Sequence, residues 1–181
     1  AGAPMLMYDS GVTDVKRFVI FASDEQLKLL DQSTEISIDA TFEAAPEGFG
    51  LLWSIHCRHM DKFYLTVVVF LSGSRSGLLA TPEYARVIMA LRQDPRLQNW
   101  IVERIYSDFE LAPRTAFLRQ FPRVQFTLCF FHKNQNLRKK AASLHLLNRL
   151  VGPLLKCYKR LLVLPLLPPH LIPDAFHPAQ F

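Results

Sequence analysis

The stretch Ile36-Ser37-Ile38-Asp39-Ala40-Thr41-Phe42-Glu43 alternates strictly, with Ile36, Ile38, Ala40 and Phe42 on one face and Ser37, Asp39, Thr41 and Glu43 on the other. A period of two belongs to a half-buried strand, because successive side chains of an extended chain point to opposite faces of a sheet. The pattern predicts a strand with Asp39 at its centre. Two more runs follow at 49–57 and 63–71. The second contains Leu65-Thr66-Val67-Val68-Val69-Phe70, apolar and β-branched enough for burial on both faces. The polar connection Arg58 to Lys62 is short, so a hairpin or meander is expected.

Upstream, Lys16 to Phe21 is a short β-rich run, followed by Ser23-Asp24-Glu25-Gln26, where a serine and a glutamine three apart form a capping box. A short helix through Leu30 is expected. Downstream, Ser72 to Gly77 reads as a turn-rich loop. Thr81-Pro82 then opens a helix whose Tyr84, Val87, Ile88 and Leu91 make one buried stripe. Ile101 to Ser107 is a fourth strand ending at Asp108, and a helix with Pro113 in its first turn runs to about Gln120. Val124 to Leu128 is a fifth strand. A basic helix runs from His132 to about Leu150, where Gly152-Pro153 breaks it.

From residue 36 the order is β-β-β-α-β-α-β-α, which implies an α/β fold: a mixed five-stranded sheet flanked by helices. This is the element order of a ribonuclease H-like fold, here with a C-terminal helical segment. The expected organisation is a lead-in strand and helix over 1–35, the ribonuclease H-like domain over 36–150, and the start of a helical region over 151–181. In that order the first and fourth strands are parallel neighbours, so Asp39 and Asp108 face one crevice at the carboxyl ends, where ligands of α/β sheets bind.

The chain has 181 residues, 50% of them hydrophobic, enough for a sizeable core and too many for a disordered or fibrous protein. Its cysteines, Cys57, Cys129 and Cys157, are odd in number and widely spaced, which suits neither a disulfide framework nor a paired-cysteine zinc site and fits a reducing, intracellular setting. The apolar stretch Leu161 to Ile172 is too short to span a bilayer and is broken by Pro165, Pro168 and Pro169. No signal peptide is expected, and the first residue, Ala1, suggests a piece of a longer protein. Charge is polarised. Residues 1–110 carry 10 Lys and Arg against 15 Asp and Glu, and residues 111–181 carry 11 against 1. The block His132, Lys133, Arg138, Lys139, Lys140 and Arg149 on one helix can neutralise phosphates, giving sequence-independent affinity for nucleic acid; a solvated basic face is the alternative.

Two carboxylates on neighbouring strand ends are what a hard cation needs: oxygen ligands on a rigid support, with positions left for water and phosphate. For Asp39 the alternative is a strand-end hydrogen bonder, and a buried charge there would need a partner. For Asp108 the alternative is a cap on the following helix. Cys129 and His132, three apart, cannot close a zinc site by themselves.

Ile38-Asp39-Ala40-Thr41-Phe42, Tyr106-Ser107-Asp108-Phe109-Glu110 and Cys129-Phe130-Phe131-His132 resemble the signature blocks of Mutator-like element (MULE) transposases, DDE-type enzymes with a ribonuclease H-like catalytic domain. The lead-in Phe21-Ala22-Ser23-Asp24-Glu25-Gln26-Leu27 and the stretch Leu164-Pro165-Leu166-Leu167-Pro168-Pro169 are also similar to segments of that family, so the likeness spans roughly residues 16 to 176. The resemblance implies DNA strand cleavage and transfer with Mg²⁺ or Mn²⁺, held by Asp39 and Asp108 as catalytic metal ligands. Cys129 and His132 would lie near the site without binding zinc, and Lys133, Arg138, Lys139 and Lys140 would contact the DNA backbone. It further implies a nuclear protein that acts on transposon ends, forms a homo-oligomer on DNA and has no membrane association. The family's third carboxylate is a glutamate on a late helix. Here the only acid after Glu110 is Asp174, for which a helix cap is the simpler reading, so the expectation is an incomplete catalytic set and a fragment inactive alone. Two alternatives stay open: a domesticated domain that holds DNA without cutting it, and a small ribonuclease H-like nuclease completed by Glu43, Glu83 or Glu110.

Overall fold

The computed structural model describes residues 5–73, 81–108 and 110–175, so most of the loop read at Ser72 to Gly77 lies outside the described residues. The chain forms two compact units, Ala1–Leu128 and Cys129–Phe181.

In the first unit the elements are β1 (Leu6–Asp9), β2 (Phe18–Phe21), α1 (Asp24–Asp31), β3 (Glu35–Thr41), β4 (Leu51–His59), β5 (Lys62–Leu71), α2 (Thr81–Gln93), β6 (Arg104–Ser107), α3 (Leu111–Gln120) and β7 (Gln125–Leu128). All strands join one mixed sheet in the order β1-β2-β5-β4-β3-β6-β7. The expected five strands are β3 to β7. The expected number is corrected to seven, because β2 pairs antiparallel with β5 and β1 pairs antiparallel with β2. The lead-in strands β1 and β2 are thus part of the same sheet. β1 escaped the sequence reading because Leu6-Met7-Tyr8-Asp9 is short and largely exposed, with no apolar alternation to mark it.

β3 pairs antiparallel with β4 and parallel with β6, the parallel neighbour expected of it. Its Ile36 and Ile38 are buried, as are Trp53 and Ile55 on β4, Val67 and Val69 on β5, and Ile105 on β6. These side chains share one face of the sheet, and Trp53 meets Tyr84 of α2 edge-on at 4.9 Å and Phe117 of α3 at 6.0 Å. Burying each such large side chain contributes about 1.5–3 kcal/mol, which is why the helices settle on this face.

Local chemistry fixes the connections. Ser23 caps α1 reciprocally with Gln26, at 3.2 Å and 2.8 Å, and the Gln26 amide also donates to the Leu65 carbonyl of β5 at 3.1 Å. The β4–β5 hairpin turns through Met60 and Asp61, with φ of 46° and 62°, the left-handed pair a two-residue hairpin with matching twist requires. Register slips by one residue after Ile55, and the extra residue, Thr66, is buried with its hydroxyl donating to the Ile55 carbonyl at 2.9 Å.

The second unit contains α4 (Phe130–Ser143), α5 (Gly152–Val163) and the single turn α6 (Ile172–Ala175). The basic helix ends at Ser143 and not near Leu150. His145 adopts φ of 54°, while the amides of His145 and Leu146 donate back to Ala142 and Ala141, each at 2.9 Å. This is a Schellman stop, and with histidine where glycine is usual it carries no sequence signal. Gly152-Pro153, expected to break a helix, instead opens α5, since proline fits the first turn. Among the described residues no helix is long and apolar enough to cross a membrane.

A candidate acidic site at the ends of two parallel strands

The parallel register pairs Glu35 with Arg104, Ile36 with Ile105 and Ser37 with Tyr106. The paired residues end there; carried on by two positions, the same register would set Asp108 beside Asp39 at the carboxyl ends of the two strands. The start of this pairing is pinned by a polar cluster. Arg58 Nη1 lies 2.8 Å from Glu35 Oε2, the Tyr106 hydroxyl donates to the same oxygen at 3.1 Å, and Phe63 packs edge-on against Tyr106 at 5.2 Å. The Arg58 guanidinium holds the Glu35 carboxyl below its usual range despite partial burial.

Asp39 stands opposite Ser54 on β4, on the sheet face away from Trp53 and α2. It is exposed, on the polar side of the strand's alternation. Ser54 donates its hydroxyl to the Asp39 carbonyl at 3.3 Å. Close by, burial lowers the pKa of His56, and the Asp39 charge opposes that shift.

Asp108 is half-exposed at the tip of β6. It does not cap α3, whose cap position belongs to Glu110; its Oδ1 instead accepts the Glu110 amide at 3.0 Å. Glu110 is half-buried. Burial and the Asp108 charge push its carboxyl above the usual glutamate value, and a hydrogen bond from the Tyr84 hydroxyl pulls the other way. Tyr84 itself is 1% exposed, and burial together with the Glu110 and Asp108 charges raises its phenol pKa.

Asp108, Glu110 and Tyr84 therefore gather at the carboxyl end of β6. Sequence reasoning took Tyr84 only as core. The available signal was its hydroxyl, which a buried tyrosine must place on a partner. Glu43 is exposed just past β3, and Glu83 turns toward Lys16, 3.2 Å away, leaving its other oxygen buried without a hydrogen bond. A cleft of about 590 Å³ opens at the other end of β6, lined in part by Glu35, Arg104, Phe121 and Arg123, away from the aspartates.

In the second unit Cys129 occupies the cap position of α4 and His132 its first turn, both half-buried. The Lys133 ammonium donates to the backbone carbonyls of Leu161 and, at 3.2 Å, Leu162, so it closes the last turn of α5, and burial lowers its pKa. Arg138, Lys139 and Lys140 are exposed along α4. Asp174 lies exposed in α6.

The donor chemistry of Asp39 and Asp108 fits Mg²⁺ or Mn²⁺ in its usual arrangement, with one or two carboxylates, water and substrate phosphate. Asp39 is open to solvent, and Asp108 retains Oδ2 beyond its bond to the Glu110 amide. The residues do not fit an all-protein cage, since among the described residues no three His, Cys, Asp or Glu side chains group around a point where an ion could sit. Compared with known proteins, the chain matches no family model and no curated protein sequence.

Proposed function

We propose that the chain carries the ribonuclease H-like core of a DDE-type DNA transposase of the Mutator-like kind, with Asp39 and Asp108 as its first two metal-binding carboxylates. The strand order β5-β4-β3-β6-β7, three antiparallel strands followed by two parallel ones, supports the ribonuclease H-like reading. The observation that supports the function is the parallel β3–β6 pairing, whose register, carried two residues past Ser37 and Tyr106, would set Asp39 and Asp108 side by side. Bound there, a divalent ion would activate the attacking oxygen and stabilise the leaving one in phosphoryl transfer. The protein's part is positional: Arg58, Glu35 and Tyr106 hold the register, while the Glu110 amide donates to the second carboxylate.

The test is Mn²⁺ titration of the full chain in the presence of duplex DNA. Asp39→Asn or Asp108→Asn should weaken Mn²⁺ binding by about tenfold or more, at least the loss that follows removal of an outer-shell partner of a metal site. Unchanged binding in the double variant would sink the assignment.

A second reading, a domain that holds DNA without cutting it, is favoured by the exposed Arg138, Lys139 and Lys140 on α4 and by the lack of a three-member group around the aspartates among the described residues. Under it, DNA affinity survives both asparagine variants. Changing the three cations to glutamine lowers the salt slope by about 0.9 per lost phosphate contact.

A further inference from the structure

The helix α5 presents two unlike faces. Cys157, Tyr158, Leu161 and Leu162 are half-buried, and the Leu161 and Leu162 carbonyls are tied to Lys133. On the other side Gly152, Leu155, Lys156, Lys159, Arg160 and Val163 follow the three-and-four spacing of one helical stripe and line a hollow of about 400 Å³. A second hollow of about 260 Å³ continues it past the helix end, shares Arg160 and Val163, and adds Leu164 and Leu167. Together they make a groove with an apolar floor and a cationic rim.

We propose that this groove docks an acidic amphipathic helix of a partner protein. Charge complementarity selects the occupant: Lys156, Lys159 and Arg160 are exposed, and among the described residues no carboxylate pairs with them. The unit's own supply of acid is Asp174 alone. The floor narrows the choice further. A phosphate backbone needs cations but gains nothing from Leu155 and Val163, whereas a helix with leucines on one side and carboxylates flanking them satisfies floor and rim together. The 12 residues of α5 span about 18 Å, which matches an occupant of three to four turns.

The experiment is fluorescence anisotropy on the full chain with a labelled, helix-forming peptide of about sixteen residues, long enough for four turns. Its leucines lie at helical spacing and are flanked by glutamates. Saturable binding that weakens with added salt is the expected result. The variant carrying Lys156→Glu, Lys159→Glu and Arg160→Glu should lose about tenfold or more in affinity for the acidic peptide and gain affinity for its lysine counterpart, as reversed charge complementarity requires. Val163→Asp, at an exposed position, should weaken both peptides while circular dichroism stays unchanged. The proposal is overturned by equal binding of a peptide with serine in place of the leucines. It is also overturned by no saturation, by tighter binding of duplex DNA or phosphatidylserine vesicles through the same residues, or by a chain dimer that Val163→Asp dissociates.

Discussion

Replacing Tyr84 by phenylalanine removes one hydroxyl and leaves a ring that still fits. Tyr84 sits in the first turn of α2, 1% exposed and edge-on to Trp53 at 4.9 Å, so Tyr84→Phe opens no cavity. What it removes is the hydrogen bond to the half-buried Glu110 carboxylate. A hydrogen bond to a charged group is worth about 1.5–3 kcal/mol, and that is the expected loss of stability at about pH 7.5. The pH dependence sharpens the test. Burial and Asp108 raise the Glu110 carboxyl above its ordinary 4.5, so folding favours its protonated form. Stability from this group is therefore greatest below the unfolded value and declines as pH climbs to the folded one. Without the Tyr84 bond the folded value rises further. The variant is then penalised fully where Glu110 is ionised and much less near pH 4, where about half or less of the loss should remain. Both tryptophans, Trp53 and Trp100, lie in the first unit, so urea unfolding followed by tryptophan fluorescence reports on the unit that holds the bond. A loss below about 0.5 kcal/mol at neutral pH, or the same loss at both pH values, would refute the account.

Lys133→Met keeps the aliphatic stem but leaves the Leu161 and Leu162 carbonyls without their ammonium. The last turn of α5 should loosen by about 1 kcal/mol, seen as faster amide exchange after Leu161 and lower helical circular dichroism. Gly50→Ala places a methyl group against the Gly73 backbone, with the carbonyl carbon 2.8 Å away, where β4 begins. Because backbone must move, a loss of about 1–3 kcal/mol is expected in the same fluorescence assay, and a neutral result would mean that the 73 segment yields freely.

The parts of the fold legible in the sequence are those where one local signal suffices. The alternation from Ile36 marks β3, Ser23 and Gln26 mark the start of α1, and Pro122 marks the stop of α3. Where two signals compete, the reading slips. Gly152-Pro153 can end one helix or begin another, and only the left-handed His145 upstream decides between them. At the site, the pairing of β3 with β6 followed from element order, since helices between strands imply parallel neighbours. The surroundings of the aspartates did not follow. Which face of β3 stays open depends on where α2 and α3 pack, and the bond between Tyr84 and Glu110 joins residues that no sequence period relates.

The parallel junction of β3 and β6 also sets an order of events during synthesis. Ile36 and Ser37 find their partners on β4 at Cys57 and His56, but their other neighbours are Ile105 and Tyr106. The antiparallel meander can close while the chain is still emerging from the ribosome. The second edge of β3 then waits, with its backbone groups unpaired, until the stretch through β6 has been made. During that interval the nascent chain exposes a strand edge at its centre, a place where a chaperone or another nascent chain can pair. Asp108 follows β6 directly, so any site that joins it to Asp39 waits for the same closure.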